Sequence, residues 1–172
     1  KEYFVGGDTA DAVLSVDEII QVGTEGSVER GAKVFEAGTL MVMEMKETNV
    51  KKLLTVLEQC VKDSKIEPDA IIQGLSDPLE FLRDIEIDAP LAGSHLSLIV
   101  AELINWDVIS LNILLSAPEF FRAEGKPSIF AVEILKKKSS GPSEDDLTVV
   151  DRLMTEEDKK AHVSAKAMFD AL

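Results

Sequence analysis

The sequence has a single cysteine in 172 residues, Cys60, which excludes an internal disulfide and any metal site built on several thiolates. That scarcity fits a reducing compartment. Histidine is almost as rare: His95 and His162 lie far apart with no ligand spacing around either, so neither structural zinc nor another bound metal is expected. No apolar run approaches the roughly 20 residues that a bilayer-spanning helix needs. Basic residues are outnumbered, 18 against 32 acids, for a net charge of −14. A surface this acidic repels nucleic-acid phosphates and favours basic partners. The motifs of common chemistries are missing too: no GxxxxGK[ST] phosphate loop, no GxSxG elbow, no HExxH, and no serine or cysteine matched with a histidine. Asp84 and Asp88 could act as paired carboxylates only inside a concave pocket, which an outward helical turn seldom provides. The expectation is a non-enzymatic, cytoplasmic protein with no cofactor and no membrane contact.

What is present is helical periodicity. Hydrophobic residues make up 45% of the chain, which argues against disorder over most of its length. Val50, Leu53, Leu54, Leu57, Cys60 and Val61 recur every three or four residues and predict a helix over 48–63, with Cys60 inside the apolar stripe as a small buried hydrophobe. Residues 1–7 read as the end of a helix stopped by Gly6-Gly7, and Asp8 as the N-cap of the next, through about Val22. Gly23 and Gly26 then break the chain. The run TLMVMEM, Thr39 to Met45, suits a strand locally, but no partner strand is in view and the flanks are helical, so 28–45 is read as helix. Met41, Met43, Met45 and Met154 read as core filler. A helix over 67–84 carries an interruption at Gly74 to Pro78, either as a restart with Asp77 as N-cap or as a kink. Further helices are expected to about Asn105, over 108–116, around 129–135, over 144–153 and over 156–171, the last opened by Thr155 and Asp158 in a capping arrangement. Residues 122–128 read as a loop, Trp106 as an anchor between helices, and Lys136, Lys137 and Lys138 as cations at a helix C-terminus.

The predicted fold is therefore all-α: seven to nine helices joined by short loops, a HEAT-like array of antiparallel helix pairs forming an α-α superhelix. Residues 1–138 form the main helical domain. Residues 139–172, opening on the linker-like Ser139-Ser140-Gly141-Pro142-Ser143, supply a linker and C-terminal helices packed on the same domain.

Charge is concentrated in one place. Residues 67–88 carry seven acids against one base, Arg83. The segment Asp84-Ile85-Glu86-Ile87-Asp88-Ala89-Pro90 reads as an acidic loop between two amphipathic helices, the kind of surface element that contacts partners. Solubility explains most single surface acids; it explains a cluster at a bend less well. Asp88, just before a helix, either caps it, worth about 0.5–2 kcal/mol, or caps it and meets a partner. Asp84, read as the end of a helix, would oppose the dipole there and so has less structural reason to be acidic.

The residues that carry a resemblance are Glu2-Tyr3-Phe4, Gly7-Asp8 and Ala12-Val13 at the start, LEFLRDIEIDAP (Leu79 to Pro90) with LSLIVAELI (Leu96 to Ile104) in the middle, and LSAPEFFR and AVEILKKKSSGP later. Together they resemble the MA-3 domain of translation factors, closer to the eukaryotic initiation factor 4-gamma scaffold than to the programmed cell death protein 4 repressor, over most of residues 1–153. The resemblance implies an all-α HEAT-like array that binds the DEAD-box RNA helicase of the cap-binding complex. It also implies that the two aspartates and the proline of a D-x-x-x-D-x-P loop, here Asp84, Asp88 and Pro90, meet basic residues of that helicase, with Glu86 between them as a weaker contact. Pro78 departs from the family, lying inside what is usually a continuous helix. A repressor occupying the same helicase surface, or a purely architectural helical segment, are the alternatives that sequence leaves open.

Overall fold

A computed structural model describes residues 2–22 and 26–172, Glu2 through its backbone only. All the regular structure among these residues is helical, thirteen α-helices and one 3-10 helix, so the all-α expectation holds and the strand option for Thr39 to Met45 falls away. The break expected at Gly23 lies outside the described residues. The chain divides into two compact units, Lys1–Pro78 and Leu79–Leu172.

The first unit opens with α1 (Glu2–Gly6), which stops at the expected Gly6-Gly7 pair. Asp8 caps α2 (Thr9–Gln21) through a 2.7 Å hydrogen bond that its carboxylate accepts from the Ala10 N–H. Lys52 donates to the Phe4 carbonyl at 2.8 Å and pins α1 in place. Helices α3 (Ser27–Met43) and α4 (Glu47–Lys62) follow. Phe35, Val42, Met43, Val50 and Cys60 are 0–1% exposed, the core that the periodicity picked out. Burial pushes the Cys60 thiol up to about 11, helped by the nearby Asp63 and Asp17 carboxylates, so it stays protonated and unreactive at neutral pH. Next comes α5 (Pro68–Gly74), with Pro68 in its first turn and its side against α3. A Cβ on Gly74 would sit 2.6 Å from the Ala32 carbonyl oxygen and 2.9 Å from the Phe35 ring. Glycine is what lets these two helices approach this closely.

The expected interruption near Pro78 is real, but takes another form. Leu75 alone separates α5 from α6 (Ser76–Glu80), and Phe81 alone separates α6 from α7 (Leu82–Asp88). Both single-residue joints keep near-helical dihedrals (φ −78°, ψ −14° and φ −94°, ψ 5°). Asp77 is therefore inside α6 rather than its N-cap, and the helix is interrupted at two single-residue joints rather than restarted once.

The second unit is built around α8 (Ala92–Asn105), ten of whose fourteen residues are buried. Trp106, its C-cap, is half-buried. The short helix expected over 108–116 is a 3-10 helix, Leu111–Ser116. The loop expected over 122–128 is corrected: Arg122, Ala123 and Glu124 belong to α9 (Glu119–Glu124). Pro118 immediately precedes it and supplies the break that a helix start requires. Then α10 (Pro127–Lys137) packs along α8, and Phe130 on α10 meets Phe121 edge-on at 5.5 Å. α11 (Glu144–Leu153) lies against α10 and the 3-10 helix. The single helix expected over 156–171 is two, α12 (Glu156–Ala161) and α13 (Ala165–Ala171), because Ser164 caps a new start. α13 packs on α11 and is tied to it by a 2.7 Å hydrogen bond from the Ala165 N–H to Asp151. Three of the additional helices come from the short breaks at Leu75, Phe81 and residues 162–164, and a further one is α9, in the stretch expected as a loop.

Candidate functional site

The acidic segment is not a loop. Asp84 to Asp88 lie within α7. Three local forces favour helix there. Asp84 stands in the first turn, where the exposed N–H groups attract negative charge. Arg83 Nη1 and Glu86 Oε2 pair at 2.8 Å, three residues apart. Leu82 is buried, fixing the inward face. Pro90 then disfavours helical geometry at Ala89, which adopts φ −127° and ψ 81°, and α7 ends.

This reverses two sequence readings. Asp84 begins a helix instead of ending one, so it favours the dipole. Asp88 ends α7, where its charge opposes the dipole, and it does not cap the next helix: that position belongs to Leu91, which makes no side-chain cap, and α8 starts at Ala92. Pro90 acts as the stop of α7, outside the first turn of α8.

The four candidate residues are not equivalent. Asp84, Asp88 and Pro90 are exposed, and neither aspartate forms an ion pair among the described residues. Asp84 and Asp88, four residues apart, share one side of α7. Glu86 is half-buried, turned toward α8 and paired with Arg83. Its carboxylate lies over Gly93 so closely that a Cβ there would collide with Oε1. Gly93 is in the first turn of α8, another helix start that welcomes a carboxylate. Arg83, Glu86 and Gly93 line one wall of an open groove of about 270 Å³, with Lys126 and Glu133 also in its lining. Lys126 takes a left-handed conformation (φ 49°, ψ 58°) immediately before Pro127 opens α10. Positive and negative groups balance in this groove, so its charge is largely answered internally.

Sequence reasoning missed the apolar side chains around the aspartates. Phe81 is 46% exposed, Ile87 77% and Leu91 65%. One signal was available: Ile85 and Ile87 flank Glu86 two residues apart, and a helix can turn only one of them inward.

Short helices packed side by side, with a bare acidic turn on one of them, have the build of a helical protein-interaction module. The MA3 domain family model matches residues 1–110, well over half of the chain and all of α7 and α8; the chain belongs to the MA3 domain family, whose domain is such a module and is found in translation factors. No match is found among curated proteins or among solved structures.

Proposed function

We propose that this MA3 domain is a translation-initiation scaffold module, acting in the cytoplasm without catalysis of its own, that docks the DEAD-box RNA helicase of the cap-binding complex. One observation carries the reading: Asp84 and Asp88 project from the same side of α7 into solvent with no cation among the described residues paired to them. Two unanswered like charges about one helical turn apart contribute little to folding. They attract a basic surface, raise the rate of encounter and fix orientation. Pro90 supports this by ending α7 directly after Asp88, which holds the second aspartate at the tip of the helix. Glu86 has a supporting role, keeping Arg83 away from the two aspartates.

A binding titration with purified initiation helicase tests it. Asp84→Asn/Asp88→Asn should weaken binding by about tenfold or more and flatten its dependence on salt. Equal affinity for the wild-type and doubly substituted chains would remove the proposal. RNA-stimulated ATPase activity measured alongside separates a scaffold, which preserves or raises it, from a repressor, which lowers it.

A further inference from the structure

Single exposed apolar residues are ordinary on protein surfaces; a group of them within one short segment is not. Phe81, Ile87 and Leu91 are all exposed within eleven consecutive residues, and Ile87 is the most exposed of the three. Ile87 stands three residues after Asp84, about 60° round the helix from it, so the two are neighbours on the outer side of α7, with Asp88 on the far side of Asp84. Leu91 follows the Ala89-Pro90 turn, three residues beyond Asp88. Neither aspartate forms an ion pair among the described residues.

We infer that Ile87 and Leu91 form the apolar anchor of this docking surface, and that its partner presents an apolar socket rimmed by lysine or arginine side chains. The inference rests on the docking reading above and adds the chemistry of the partner. Charge complementarity selects the occupant: two aspartates beside an aliphatic side chain fit a socket with a basic rim and repel an acidic one. The physical need for an anchor is separate from the need for charge. Exposed ion pairs in water contribute little to affinity, and excluding water from them by a seated apolar group makes them count. A second exposed apolar group, Leu14 and Ile19 on α2 with Val22 just after it, adjoins residues 23–25, outside the described chain.

The test is a titration of purified initiation helicase against three full-length versions of the chain, wild type, Ile87→Ser/Leu91→Ser and Asp84→Asn/Asp88→Asn, from low to high salt. Thermal melts confirm that each folds, which exposed positions permit. The serine pair should weaken binding about tenfold at every salt concentration and leave the slope against salt unchanged. The asparagine pair should weaken binding mainly at low salt and flatten the slope. If the serine pair binds like wild type while the asparagine pair does not, the anchor inference fails and the docking reading survives. If the wild-type chain does not bind the helicase, both fail together. If light scattering shows the wild-type chain self-associating and the serine pair abolishing it, Ile87 and Leu91 are a contact between copies and the inference is overturned.

Discussion

Two acidic stretches of this chain, Asp84 to Asp88 and Glu144-Asp145-Asp146, are alike in composition and opposite in use. In the second, Asp146 is buried and its Oδ2 accepts hydrogen bonds from Lys138 Nζ at 2.5 Å, Ser143 N–H at 2.9 Å and Ser143 Oγ at 2.8 Å. One carboxylate thus closes the capping box of α11 and ties it to the end of α10. Burial on its own would push Asp146 upward, but these hydrogen bonds and the Lys138 charge outweigh it and hold its pKa below the usual carboxylate range. Asp158 repeats the arrangement at α12, accepting from Thr155 and from the buried Ser128 at 2.9 Å. Asp84 and Asp88 have no such partners among the described residues. The lesson is that an acid's worth to the fold depends on whether helix ends and cations have been brought to it.

The sharpest break of that contrast is Lys138→Met. It leaves Asp146 buried without its cation, and chemical denaturation should show a loss of about 3 kcal/mol. If the loss is below about 1 kcal/mol, Asp146 is supported by the capping box alone.

Acid titration should read the same site. Because the folded-state pKa of Asp146 is depressed, its contribution is complete above the unfolded carboxylate value near 3.9 and is lost as pH falls through the lower folded value. Asp146→Asn should therefore destabilise at neutral pH, with the gap to wild type closing in strong acid, as thermal melts across that range would show.

A smaller and more diagnostic effect concerns Gly93. Gly93→Ala should gain less stability in the wild-type background, where the Glu86 carboxylate must move aside, than in a Glu86→Ala background, where the gain should reach up to about 1 kcal/mol, the usual advantage of alanine over glycine inside a helix. Equal gains in both backgrounds would show that Glu86 is not held against α8.

Smallest of all are the two aspartates. Asp84→Asn should lower stability by about 0.5 kcal/mol and Asp88→Asn raise it by a similar amount, because they stand at opposite ends of α7. Equal signs in paired thermal melts would contradict the helix assignment of the acidic segment.

The parts of this fold legible in the sequence were those with long, regular apolar spacing. Val50 to Val61 and Leu96 to Ile104 form α4 and α8 where expected, and Asp8 and Thr155 cap as expected. Short helices joined by one residue were not legible, because Leu75 and Phe81 interrupt hydrogen bonding without interrupting the apolar pattern. At the site, the identities of Asp84, Asp88 and Pro90 were readable but their setting was not. Whether the acids before Pro90 continue a helix depends on the Arg83–Glu86 pair and on the close approach of Glu86 to Gly93. Those are contacts that spacing alone does not reveal.

The packing of α10 along α8 bears on where the chain can be cut. The family match ends at residue 110, before α10 begins at Pro127. A fragment trimmed to the matched stretch would retain both aspartates but strip α8 of that neighbour, on a helix whose Leu96, Ile99 and Leu103 are wholly buried in the intact chain. Such a fragment would stick to itself and to surfaces, and a failed pull-down with it would report on stickiness instead of recognition.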